Sequence, residues 1–344
     1  MKSWWRKAPP RSASGASPPG GRHQRPGEAS SAVAGEGAAY QAEQVLRRLE
    51  WKVIRRLDGL LQGDYRTLLR GAGLDLADLR EYQLHDDVRH IDWNVTARMQ
   101  QPHVRVFTED RDMSAWFLLD LSPSVDFGSG EQRKRTVSAE FVAVLARLLT
   151  RHGNRAGAML YGNGVETVIP PRSDRRHVLH LLHAMLDCQP AATGPTRLQD
   201  LLAAAASLIK QRSTVFVVSD FISEPGWDRP LARLAQRHEV VAVRVLDPLE
   251  LELPDLGLLT LRDAETGEQL VVDTHDPGFR RRFARIAAQR EAELRAALAG
   301  CGVDALELAT DADLVDAIVR FVEMRRRRSR LAAGGLPAHL RRAA

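Results

Sequence analysis

The sequence predicts an α/β fold, a doubly wound and mostly parallel sheet with helices on both faces. Three observations carry that expectation. Short runs such as "AWFLLDL" (115–121), "TVFVVSD" (214–220) and "EVVAVRVLD" (239–247) are apolar almost throughout, as strands buried on both faces are. Amphipathic helical stretches stand between them, and strand–helix alternation builds parallel sheets. Asp120 and Asp220 stand at the ends of two of these runs, and ligands of such sheets gather at the carboxyl ends of the strands.

The elements follow in order. Residues 1–38 are rich in Pro, Gly, Ser and Ala with few aliphatics, so this tail is expected to be disordered. From Tyr40, Val45, Leu46, Leu49, Val53, Ile54, Leu57, Leu60 and Leu61 recur at helical spacing. Gly63, Gly71 and Gly73 then divide the chain into turns and short pieces. The dense polar stretch "HDDVRHIDWN" comes next, and "HVRVFTEDR" alternates as a half-exposed strand does. Residues 39–113 thus form an N-terminal α/β segment packed on the main sheet.

Residues 114–324 form the main domain. Gln132–Thr150 reads as a helix with Val137, Phe141, Val144, Leu145 and Leu148 on one face. "RAGAMLYG" and "VETVIP" are a strand and its return through Gly162-Asn163-Gly164. Asp174–Leu186, Leu198–Lys210, Trp227–Arg237 and Phe279–Leu298 are helical stretches, and "VDALELAT" is the last strand. A hairpin inserted at 257–273 turns at Thr266-Gly267. Asp313–Met324 closes the domain, and residues 325–344 form a basic tail opening on "RRRRSR".

Composition excludes several classes. The chain has 344 residues, 44% hydrophobic and 27% charged, which suits a globular protein with a sizeable core. Cys188 and Cys301 are far apart and outside any CxxC pattern, so they read as small buried hydrophobes in a reducing compartment. No apolar run approaches the roughly 20 residues of a membrane span, and the basic start lacks an apolar core behind it. A cytoplasmic protein is expected. The net charge of +5 divides into +4 over residues 1–38, +6 over residues 321–344 and −5 between them. A basic face on the folded domain is therefore not implied, although the Arg-rich tail could touch nucleic acid or an anionic surface.

The stretch "FLLDLSPSVDFGS" (117–129) drives an apolar strand into Asp120, with Ser122 and Ser124 following at alternate positions. Extended side chains alternate with period two, so both hydroxyls share a side. Thr196, just before a helix, offers a third hydroxyl, and Asp220 a second carboxylate. All five donors are hard oxygens, which suit Mg²⁺ or Mn²⁺. Helix capping explains any one of these residues alone; the set favours a metal site.

This constellation resembles the metal-ion-dependent adhesion site of von Willebrand factor A domains, with Asp120-Leu121-Ser122-Pro123-Ser124 as its DxSxS sequence, and with Thr196 and Asp220 matching its loop Thr and strand-end Asp. The resemblance implies a Rossmann-type sheet. It also implies serines bound directly to the metal, aspartates acting through water, and a coordination position left for a partner's carboxylate. Arg80-Glu81-Tyr82, Asp86-Asp87-Val88-Arg89, Ile91-Asp92-Trp93 and Ala97-Arg98 closely resemble the MoxR-associated family of domain of unknown function 58. His85 and Val125 depart from its usual Gly and Met without removing a ligand. The family resemblance implies a MoxR-type AAA+ ATPase partner and a role in assembly, cofactor insertion or remodelling of client proteins.

Three readings of "HDDVRHIDWN" stand: a second centre built on Asp86, Asp87, His90 and Asp92; a partner surface; and an ion-pair network of the three aspartates with Arg80, Arg89 and Arg98. The network is the simplest, with Trp93 in the core. His85, His90 and His103 are too irregularly placed for zinc, and "GSGEQRKRT" lacks phosphate-loop spacing. The expected function is thus a non-enzymatic, metal-dependent interaction module, an adaptor gripping an acidic residue of the ATPase or of a client. A metal-dependent phosphohydrolase is the enzymatic alternative, but it needs a second carboxylate where Ser122 stands. Binding of nucleic acid or an anionic surface through the basic tails is the other alternative.

Overall fold

In the computed structural model of the chain, residues 41–57, 78–83, 88, 91–106, 114–162, 164–188 and 194–333 are described. Helix α1 spans residues 41–57 and includes a π-helical turn at Glu50–Ile54. That turn moves the buried stripe from Leu49 to Ile54 in a single five-residue step, so Leu46, Leu49, Ile54 and Leu57 all reach the core. Leu60 and Leu61 lie outside the described residues. Strands β1 (Asp78–Glu81) and β2 (His103–Val106) pair antiparallel, with helix α2 (Trp93–Met99) between them.

The main sheet has six strands. They are β3 (Ser114–Asp120), β4 (Arg155–Tyr161), β5 (Val165–Arg172), β6 (Thr214–Ser219), β7 (Glu239–Leu246) and β10 (Asp304–Ala309), in the order β10-β7-β6-β3-β4-β5. Every neighbouring pair is parallel except β4–β5. This is the doubly wound, mostly parallel sheet that the sequence predicts. Between its strands run helices α3 (Lys134–Arg151), α4 (Arg175–Asp187), α5 (Leu198–Leu208), α6 (Asp228–Arg237) and α7 (Pro277–Gly300), and α8 (Leu314–Ala333) ends the fold. Strands β8 (Leu258–Arg262) and β9 (Gln269–Asp273) form the inserted hairpin.

Side-chain alternation along β3 feeds two cores. Ala115, Phe117 and Leu119 pack with α1, α3, α4 and α8 on one face. Trp116 and Leu118 pack with α5, α6 and the end of α7 on the other. Phe216 stacks on Phe117 at 5.3 Å and meets Phe141 edge-on. Helix α1 therefore belongs to the main core, and Arg147–Glu50, Arg175–Glu43 and Arg48–Glu140 ion pairs hold it there.

Two expectations change. The last helix does not end at Met324 but runs through the arginines to Ala333. Arg325, 2% exposed, pairs with Glu239 and Asp304, and that anchorage keeps the helix on the sheet edge. Cys188 and Cys301 are free thiols that are only partly buried. Among the described residues, no helix is long and apolar enough to cross a membrane.

Candidate functional site

The chain passes from β3 to β4 and β5 on one side, then returns to β6 on the other side of β3. The carboxyl ends of β3 and β6 therefore flank the point where the winding reverses, which is where such sheets hold ligands. Asp120 closes β3 and Asp220 follows β6, and both are almost fully buried.

Each carboxylate is already braced. Asp120 Oδ1 accepts the Ser122 amide at 3.0 Å, and its Oδ2 accepts the Ser219 hydroxyl at 2.7 Å. Ser219 in turn accepts the Phe221 amide at 2.9 Å. Phe221 has a φ of +60°, a left-handed conformation that costs a bulky residue on the order of 1 kcal/mol. That bend directs the Ile222 amide onto Asp220 Oδ1 at 2.9 Å. Burial and the neighbouring Asp220 charge push the Asp120 carboxyl up to about 6, although the Ser219 and Ser122 bonds oppose the shift.

Two of the hydroxyls meet each other. Ser122 precedes a 3₁₀ turn, Pro123–Asp126, but its side chain makes no capping bond. Its Oγ lies 3.2 Å from Ser124 Oγ instead, and both residues are buried. The capping alternative therefore does not account for Ser122. Thr196 is buried, and its Oγ1 has no hydrogen-bond partner, an arrangement that usually means a missing ligand or water. Its carbonyl accepts Glu224 N–H and the Ser223 hydroxyl, both at 2.9 Å, which ties the Thr196 loop to the segment after Asp220. The next amide, Arg197, donates to Tyr161 Oη at 2.9 Å, and Tyr161 lies opposite Asp120 in the sheet. All five sequence-predicted donors thus belong to one edge of the sheet.

Sequence reasoning missed five residues there. Lys134, wholly buried at the start of α3, places its amine 2.7 Å from Asp220 Oδ2 and 2.5 Å from Glu250 Oε1. Burial alone would lower the amine, but the Asp220 and Glu250 charges outweigh it and hold it above the ordinary value. A signal was present: Lys134 is in phase with the Val137 and Phe141 stripe of α3. Asp247, after β7, forms a capping box with Glu250 and accepts from Ser129 and Thr310. Glu265, at the hairpin turn, accepts the Thr196 amide at 3.2 Å, and its carbonyl accepts Gly194 N–H. Ser219 and Glu265 had no sequence signal, because their roles come from chain crossings.

Two carboxylates and three hydroxyls could hold a small hard cation. Among the described residues, no group of three or more His, Cys, Asp or Glu side chains could do so, so the hydroxyls are indispensable to such a site. The orphaned Thr196 oxygen and the uncapped Ser122 fit that donor set.

The polar motif is described only in part. Asp86, Asp87 and Arg89 lie outside the described residues, as do His85 and His90. Arg80 and Glu81 belong to β1, and the Tyr82 amide bonds Pro102. Asp92 caps α2 by accepting from Asn94 and Val95, and Arg98 is exposed. Trp93, expected in the core, is 70% exposed, because it opens a short helix that buries no residue. Val88 and Met99 are also exposed.

The family described as a protein of unknown function, DUF58, matches residues 78–293. An uncharacterised protein of Mycobacterium tuberculosis is 40% identical over 285 residues, covering 82% of this chain and 89% of its own. One of Mycobacterium avium is 40% identical over 164 residues, or 47% of this chain and 95% of its own. Among solved structures, BatB from Bacteroides thetaiotaomicron is 16% identical with a TM-score of 0.38, over 62% of this chain and 99% of that one. A von Willebrand factor type A protein from Catenulispora acidiphila is 12% identical with a TM-score of 0.32, over 62% and 42%. At these scores neither structure bears on function.

Proposed function

The chain belongs to the DUF58 family of proteins of unknown function, and we propose that it is a non-enzymatic interaction module that grips an acidic partner residue through a divalent cation. The observation that carries this is that Asp120, Ser122 and Ser124 at the end of β3 and Asp220 at the end of the adjoining β6 share the sheet's carboxyl edge, with the loop of Thr196, a buried hydroxyl without a partner, tied to the segment after Asp220. Mg²⁺ or Mn²⁺ would bind the three hydroxyls directly. Asp120 and Asp220, whose oxygens already accept protein donors, would hold it through water. A bound cation supplies an electrophile for one outside carboxylate. The chain's residues position and neutralise it and move no proton, so the reading contains no catalytic step.

The partner expected from the motif resemblance is a MoxR-type AAA+ ATPase, or an acidic client that the pair remodels. Val88, Trp93 and Met99 of the motif segment are exposed and open to a partner, while Asp92 serves as a helix cap. An ATPase partner would place the chain in the cytoplasm, where ATP is supplied.

Affinity capture from a native lysate tests this reading, with wild type in Mg²⁺, wild type in EDTA, and Asp120→Ala in Mg²⁺. An AAA+ ATPase or a client retained only in the first arm is the expected result. The same proteins in all three arms would dissociate partner binding from the metal site and direct attention to Trp93.

A further inference from the structure

The geometry points to Lys134 as the residue that makes cation binding depend on the partner: its buried charge keeps a divalent cation weakly held until an outside carboxylate joins it. This rests on the metal-site reading above and concerns what tunes that site. Lys134 is 0% exposed and anchored between Asp220 Oδ2 and Glu250 Oε1, at 2.7 and 2.5 Å. Its backbone is anchored as well, with its amide bonding the Phe127 carbonyl at 2.8 Å. The charge therefore cannot swing away as a surface lysine can.

Asp220 faces a cation with one oxygen on the Ile222 amide and the other on this ammonium. Much of its negative field is thus spent inside the protein before a metal arrives. A divalent ion also feels direct repulsion from the ammonium, at a depth where water screens little. Both effects lower affinity for the bare ion and leave it electron-poor. A carboxylate from outside then supplies the missing negative charge, so ion and partner bind with positive coupling. Nearby arginines do not duplicate this role: Arg133 pairs with Asp126, Arg197 pairs with Glu224, and both arginines are more than half exposed.

Asp247 forms the capping box with Glu250. Its carboxylate is shared among Ser129 N–H and Oγ–H, Leu249 N–H and Thr310 Oγ–H, all neutral donors. Lys134 is thus the cation in direct contact with the proposed ligand set among the described residues.

The test measures Mn²⁺ affinity by electron paramagnetic resonance of the free ion, with and without acetate as the carboxylate probe, and checks each variant's fold by circular dichroism. Wild type is expected to bind Mn²⁺ weakly and to bind it more tightly in acetate. Lys134→Met should bind bare Mn²⁺ at least about tenfold more tightly, with little further gain from acetate. Lys134→Met/Glu250→Gln removes one charge of each sign and should return to wild-type affinity, a rescue that a merely structural lysine would not give. A folded Lys134→Met with unchanged or weaker affinity overturns the inference while leaving the metal site standing. Should Lys134→Met not fold, Lys134→Gln, a neutral side chain that keeps a donor for the two carboxylates, takes its place: tighter bare-Mn²⁺ binding supports the inference, and unchanged or weaker binding overturns it. Absence of Mn²⁺ binding in wild type, with or without acetate, overturns the metal site itself and the inference with it.

Discussion

At the scale of single residues, the candidate site is a place of unfavourable burial held together by hydrogen bonds. Asp120 is the clearest case, since its carboxyl is raised to about 6 from an ordinary 3.8 by burial and by Asp220. The folded chain keeps a proton there that the unfolded chain releases, so this residue's contribution to stability falls as pH rises from about 4 to about 6. Above that window the ionised carboxylate costs on the order of 3 kcal/mol. Asp120→Asn keeps an acceptor for the Ser122 amide, turns the other position into a donor toward Ser219 Oγ, and removes the charge. In EDTA at pH 7.5 it should be at least as stable as wild type in a urea titration. Mg²⁺ should raise the melting temperature of wild type at pH 7.5, raise it less at pH 5, and leave the variant unmoved. A variant clearly less stable than wild type in EDTA would mean that the buried charge is no liability.

At the scale of elements, the hairpin β8–β9 acts on the site although it lies outside the main sheet. Its turn carries Gly267 at a φ of +73°, a conformation that favours glycine. The turn delivers Glu265 to the Thr196 amide and its carbonyl to Gly194. Those two bonds and the Ser223 contact hold the loop that presents the third hydroxyl. Glu265→Ala should therefore loosen residues 194–197, at a cost of about 0.5–1.5 kcal/mol. Faster amide exchange confined to that loop, together with weaker Mn²⁺ binding, is the expected outcome. Unchanged exchange at Thr196 would mean that the loop holds its place without the hairpin.

At the scale of the whole molecule, the sheet edges decide how the ends of the chain are used. Helix α8 packs Val315, Ile318, Phe321 and Val322 into the core, then continues through an arginine run. Arg325 there pairs with Glu239 of β7 and Asp304 of β10. The residue thus ties the last helix to two adjacent strands and is withdrawn from any outside anion. Arg325→Ala would strand Glu239 and leave Asp304 with Arg328 as its remaining partner, and should destabilise the fold by about 2–3 kcal/mol in denaturant. Arg327→Ala, on the exposed side, should cost little. Equal and small effects from both would show that the run is a solvated helix end throughout.

Much of this protein was legible in its sequence, and for local reasons. Strands buried on both faces must be apolar throughout, so "AWFLLDL" and "TVFVVSD" announced the parallel sheet. Strand ends placed Asp120 and Asp220, whereas Ser124 lies inside a 3₁₀ turn, so that turn and not strand alternation brings its hydroxyl to Ser122. Tertiary structure alone decided what those groups touch. Lys134 lies 86 positions from Asp220 and 116 from Glu250, and Glu265 lies 69 from Thr196, so no local pattern links them. Trp93 misled because a large aromatic ordinarily reads as core, whereas burial depends on what packs against a short helix. Periodicity reports which face of an element is apolar. Which charges meet at the end of a sheet is set by the crossings of the chain, and there the properties of this site are determined.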